Sequence, residues 1–165
     1  MNGIRGASTR ALNGLATAAL ALAGAALVGM ALVQFWQVFA RYVLNASPGW
    51  TEPVALLMMG FAVMLGAAVA VRRETHFAFQ SFRDAAPAPI QLALKTVARL
   101  IAAAAGVGLM VLGGSLMIDD WAVTMAGAPL PSGLKFASLT VGGALILLFA
   151  LERLAFGDFD AGEEH

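Results

Sequence analysis

The 165 residues are 60% hydrophobic and only 12% charged, with a mean hydropathy of +0.81. That is about half the charge of an ordinary soluble domain, so most of the surface must face something other than water. Formal net charge is zero, which offers no electrostatic case for a nucleic-acid partner, and with no Cys there can be neither disulfides nor thiolate metal sites. The length suits one small membrane domain with no separate soluble one.

The first ten residues are small and polar, with Arg5 and Arg10 as their charges. An apolar run follows over residues 12–40, interrupted by Asn13, Thr17, Gln34 and Gln37. A basic start and the Ala21-Leu22-Ala23 triplet imitate a signal peptide and its cleavage site. The hydrophobic core of such a peptide is about 7–15 residues long and this run is far longer, so it is read as a retained first span. At roughly 29 residues it exceeds the hydrocarbon thickness and is expected to tilt or protrude, with Gln34, Trp36 and Gln37 at the outer interface.

Residues 41–51 form a first loop, with Asn45, Ser47, Pro48 and Gly49 as turn formers. Trp50 and Pro53 then open a second span over residues 53–71, since Pro suits the first turn of a helix. Its centre, residues 54–71, carries no charge over about 18 positions, close to the minimum that crosses a bilayer as a helix. Arg72 and Arg73 end it abruptly. The stretch to Arg83 alternates basic and aromatic residues, including His76, Phe77, Phe79 and Phe82, and reads as a short interfacial segment. After the break at residues 85–89 a third helix carries Lys95 and Arg99, whose stems are expected to snorkel to headgroups, and spans residues 97–118. Asp119, Asp120 and Trp121 end it. A loop with Gly127, Pro129 and Pro131 leads to a fourth span over residues 133–151, then Glu152, Arg153 and an acidic tail over residues 155–165.

The basic residues orient this layout. With the N-terminus in the cytoplasm, Arg5, Arg10, Arg72, Arg73, Arg83, Lys95, Arg99 and Arg153 fall inside, and Arg41 and Lys135 outside. Lys and Arg collect on the cytoplasmic side of short loops. Trp36, Tyr42, Trp50 and Trp121 all fall on the opposite side, where amphipathic rings anchor at headgroups. The expected fold is an all-α membrane protein of four transmembrane helices, with an interfacial segment between the second and third and both termini cytoplasmic.

Chemistry is sparse. No charged residue falls near a span midplane, whereas a chain that moved ions alone would line its path with carboxylates, His or broken helices. His76 and His165 both lie outside the spans, which excludes haem ligation in the bundle. His76 beside Glu74 reads as a solvated or lipid-facing group, and Asp119-Asp120 as a solvated helix end, since hard cations want more oxygen ligands than that pair supplies. No catalytic, cofactor or metal site is expected. The positive feature is small residues: Ala62, Gly66 and Ala70 recur at intervals of four in the second span, and Ala25/Gly29, Ala102/Gly106 and Ser138/Gly142 repeat the spacing elsewhere. Such rows let helix backbones approach in lipid, although a chain rich in Ala and Gly also makes them by chance. Arg41 runs against the charge asymmetry and calls for a partner: a lipid phosphate or Glu52, in preference to a group on another protein.

The residues from 39 to 79 also carry a resemblance. Arg41-Tyr42 at the end of the first span, Trp50-Thr51-Glu52 opening the second, Gly66 within it, and Arg72-Arg73 with His76 after it resemble the small membrane subunit of tripartite ATP-independent periplasmic (TRAP) transporters, the DctQ-like family. The four-span layout is similar over most of the chain. Two positions depart from the family's pattern: Pro53 stands where a second acidic residue is common, and Thr140 stands where a Pro often precedes the Val-Gly of the fourth helix. The resemblance implies a non-catalytic scaffold for a large polytopic membrane subunit. That subunit would hold the sodium sites and take an organic acid from a periplasmic binding protein. It further implies an interface with that partner or with lipid at Arg41, Tyr42, Trp50, Glu52, Ala62, Gly66, Ala70, Arg72, Arg73 and His76. The layout alone also allows a stand-alone assembly factor or sensor.

Overall fold

The computed structural model describes residues 2–73 and 88–156. They form four helices: α1 (Asn2–Tyr42), α2 (Thr51–Arg73), α3 (Ala88–Asp119) and α4 (Leu134–Phe156). All four are long and apolar enough to cross a membrane. The expected interfacial segment, with His76, and the acidic tail beyond residue 156 lie outside the described residues.

Local chemistry sets the helix ends. α1 stops where Asn45 takes a left-handed backbone (φ 50°), a conformation Asn tolerates better than most residues, and the Ala46 N–H returns to the carbonyl of Ala40. α2 starts where the Val54 N–H bonds the Trp50 carbonyl. Pro53 therefore sits in the first turn, where its missing N–H leaves nothing unpaired. The buried Thr51 hydroxyl donates to the Pro48 carbonyl at 2.8 Å and closes the turn between the helices. α3 ends at a node around Asp120, whose carbonyl accepts from both Val123 and Gly133. Between them a small hairpin is held by Met125 N–H to Leu130 O and Ser132 N–H to Val123 O, across a bridge between Thr124 and Pro131.

The helices pack in a row. α1 lies on α2, α2 on α4, and α4 on α3, and the remaining pairs barely touch. The burial follows: a third of the most apolar stretch of α2 and of α4 is enclosed, against 17% in α1 and 11% in α3. The core gathers Ala16, Ala19 and Ala23 of α1, Leu65, Ala68 and Val69 of α2, and Ile146 and Phe149 of α4. The two described loops, between α1 and α2 and between α3 and α4, lie at one end of the row, called here the loop end. Arg72 and Glu152 lie at the other, the arginine end.

Candidate functional site

Two seams hold α4, and small residues line both. On the α2 side a methyl group added to Gly60 would stand 2.7 Å from Ser138 Oγ, and one on Gly142 would stand 2.5 Å from Met64 Cβ. On the α3 side a methyl on Gly143 would meet the Met110 backbone N at 2.6 Å, and one on Gly106 the Leu147 N at 2.7 Å. Gly113 is as tightly placed against Leu139 and Thr140. Successive residues on a helix point about 100° apart, so the adjacent pair Gly142-Gly143 serves both seams at one level. On the α3 side backbone meets backbone, and on the α2 side the Ser138 and Met64 side chains settle into the glycine gaps; both gain dispersion contacts, the main attraction between helices in lipid. Thr140 and Ser138 donate back to Phe136 O (3.1 Å) and Lys135 O (3.3 Å), so neither hydroxyl is left unsatisfied within the seam.

The row Ala62, Gly66, Ala70 does not lie on one buried face. Steps of four residues drift about 40° around a helix, so a row at this interval turns away from its neighbour. Ala62 is buried in the chain, Ala70 is half-buried, and Gly66 has open space where its side chain would be. Gly66 continues an outward apolar stripe of Leu56, Met59 and Val63. That stripe is the part of α2 free to meet lipid or another protein.

At the loop end, Trp36 (44% exposed), Tyr42 (76%), Trp50 (42%) and Trp121 (52%) all face outward, as membrane-anchoring rings would. Trp36 and Phe39 lie tilted on one another with centroids 6.0 Å apart. Arg41 and Glu52 are both exposed, and among the described residues no ion pair joins them. The pairing weighed for Arg41 from the sequence is therefore not made: α1 and α2 direct the two side chains outward from the turn. The two loops touch instead through backbone. Gly127, at φ 85°, abuts Gly49, and a methyl group on Gly127 would collide with the Gly49 carbonyl.

At the arginine end one turn of α4 grips the end of α2. Arg72 donates from Nε to one Glu152 oxygen at 2.7 Å and from an Nη to the other at 2.8 Å, a bidentate pair with both side chains 12% exposed. The Arg72 guanidinium lies 5.4 Å from the centre of the Phe149 ring, and Arg153 Nε donates to the Arg72 carbonyl at 2.7 Å. That carbonyl belongs to the last turn of α2, where intrahelical donors have run out, so Arg153 acts as its cap. Truncating one member of so enclosed a pair leaves a poorly solvated charge, at a cost of about 3 kcal/mol. Arg73, next in sequence, is exposed. Arg99 is buried at 6% exposure, where a side chain laid along headgroups was expected.

Gly60, Gly113, Gly143, the Gly49–Gly127 contact and the Glu152 partner of Arg72 were not singled out in the sequence. The pairs Gly113-Gly114 and Gly142-Gly143, and the seven-residue spacing from Gly106 to Gly113, were signals for the α3–α4 seam. Among the described residues no group of His, Asp and Glu is placed to hold a metal ion.

Residues 30–157 match the family described as tripartite ATP-independent periplasmic transporters, DctQ component. The chain belongs to this family. It is also similar to the sialic acid TRAP transporter small permease protein SiaQ of Vibrio cholerae, 28% identical over 120 residues that cover 72% of this chain and 69% of that protein. The family match begins within α1 and ends just beyond α4, so it takes in both seams, the loop contact and the grip on Arg72. The chain is thus a TRAP small permease subunit, a multi-pass inner-membrane component of a transporter and not an enzyme.

Proposed function

We propose that this small subunit scaffolds a large polytopic partner, which holds the substrate and sodium sites and is driven by an ion gradient, commonly sodium. The substrate is an organic acid delivered by a periplasmic binding protein, the class to which the sialic acid of the Vibrio cholerae relative belongs. In this reading the loop end faces the periplasm and both termini face the cytoplasm, in keeping with the uneven division of Lys and Arg.

The observation that supports it best is the open row. α1 and α3 are each held on one side, leaving broad apolar faces along all four helices. Apart from Arg99, buried one third of the way along α3, the described charged side chains stand toward the helix ends. A chain so built widens the membrane footprint of a partner without itself passing an ion.

Arg41 provides the test. It is exposed at the loop end with no acidic partner in the described chain, so a lipid phosphate or a group on another subunit is its expected contact. An exposed ion pair contributes about 0–1 kcal/mol. In the reconstituted three-part system Arg41→Ala should lower uptake by a modest factor and leave its dependence on sodium concentration unchanged. A changed sodium Hill slope would place ion coupling partly in this subunit and overturn the scaffold reading.

A further inference from the structure

The contacts divide the chain into two hairpins, α1–α2 and α3–α4, which meet along α2 and α4. The meeting line is fastened at three levels. At the loop end Gly49 and Gly127 touch through backbone. In the middle the Ser138 side chain lies over Gly60 and the Met64 side chain over Gly142, and Leu65 and Val69 share one core with Ile146 and Phe149. At the arginine end Phe149, Glu152 and Arg153 hold Arg72 by ring face, carboxylate and guanidinium.

From this we infer that the Arg72 grip is a latch that sets the angle between the two hairpins, and that the α3–α4 hairpin splays from α1–α2 at the arginine end when it is released. The middle of the seam is held by side-chain packing, which lacks the directionality of a hydrogen bond. The loop contact, backbone against backbone at the opposite end, acts as the pivot. Among the described residues the latch joins the two helices by directed bonds: two from the Arg72 side chain and one to its carbonyl. A bidentate guanidinium–carboxylate pair fixes orientation as well as distance, which a contact between methyl groups does not. The latch sets the shape of the row whether or not a partner subunit is present.

The experiment uses the full chain in lipid nanodiscs, labelled with paired spin labels. The absence of Cys makes two introduced cysteines free of background. One pair, Ala11→Cys with Ala93→Cys, spans the hairpins at the arginine end, and a second, Ser47→Cys with Ala122→Cys, spans them at the loop end; all four positions are exposed. Glu152→Gln keeps the shape and removes the charge. It should lose the narrow distance peak of the arginine-end pair and keep that of the loop-end pair. Exchanging the charges, Arg72→Glu with Glu152→Arg, should bring the arginine-end peak back toward its original width. An unchanged arginine-end distribution in Glu152→Gln would overturn the latch, and equal broadening at both ends would mean general loosening and overturn it too. If Glu152→Gln does not fold, the exchange variant decides: a narrow arginine-end peak supports the latch and a broad one refutes it.

Discussion

Gly143 and Gly66 are both mid-helix glycines, and the same substitution should have opposite effects at the two. Replacing a helical Gly by Ala relieves a propensity cost of about 1 kcal/mol when nothing else changes. Gly66 meets that condition, because no atom of the chain lies within 4 Å of a methyl group placed there. Gly66→Ala should therefore stabilise the isolated subunit by up to about 1 kcal/mol. At Gly143 the new methyl would lie 2.6 Å from Met110 N, 2.9 Å from Gly106 O and 2.9 Å from Leu109 Cβ. Two of these are backbone atoms, which cannot swing aside, so α3 and α4 must separate by several tenths of an ångström. A gap of about 0.5–1 Å forfeits a quarter to a half of each facing dispersion contact. Overpacking of this kind costs about 1–3 kcal/mol, and rigid neighbours place it near the upper end. After the propensity gain, Gly143→Ala should lose about 2 kcal/mol, or roughly 4–8 °C of melting temperature for a chain of this size. The assay is thermal unfolding of each purified variant in one detergent, followed by co-purification with the large subunit using Gly66→Leu. Equal melting temperatures for Gly143→Ala and the unaltered chain would refute the seam. A stable Gly66→Leu chain that no longer co-purifies would assign the outward stripe of α2 to the partner.

Two further outcomes are expected. Single cysteines at Ser47 and Thr124, exposed in the two loops, should react with an impermeant maleimide added to intact cells, and one at Ala155 should react only after permeabilisation; labelling of Ala155 in intact cells would invert the proposed orientation. Gly127→Ala should destabilise the chain by about 1–2 kcal/mol from the left-handed backbone alone, with more from the collision with Gly49, and an unchanged melting temperature would show that the two loops do not touch.

The four helices and their ends at the two described loops were legible because each rests on a local signal. Long uncharged runs give the helices, Asn45 and Pro48-Gly49 give the first turn, and Asp119-Asp120 with the following Gly and Pro residues give the second. The order of the row was not legible. Every helix carries small residues at helical spacing, and spacing alone does not say which rows meet. Gly66 and Gly142 look alike in sequence, yet one opens outward and the other receives Met64. The partner of Arg72 was hidden for a different reason: Glu152 is 80 residues away, and several inner cations compete for it on paper. The shared level of residues 72 and 152 became visible only once α2 and α4 were known to run side by side in the same direction.

The row itself is a solution that depends on lipid. In water, four apolar helices would close into a bundle, because every outward Leu or Phe carries the cost of contact with solvent. In a bilayer the acyl chains are as apolar as those side chains, so an exposed Leu22, Leu32 or Leu112 loses little by remaining outside. Helices then associate where backbones fit closely and remain apart where they do not. α4 has two close-fitting seams and stands in the centre with α2, whereas α1 and α3 each find one neighbour. A protein partner docking on the open faces would displace lipid and not water, so its affinity would come from shape and from the few directed bonds it made. Outward small residues such as Gly66, and outward polar groups such as Arg41, are therefore more informative about that partner than the much larger area of exposed Leu and Val.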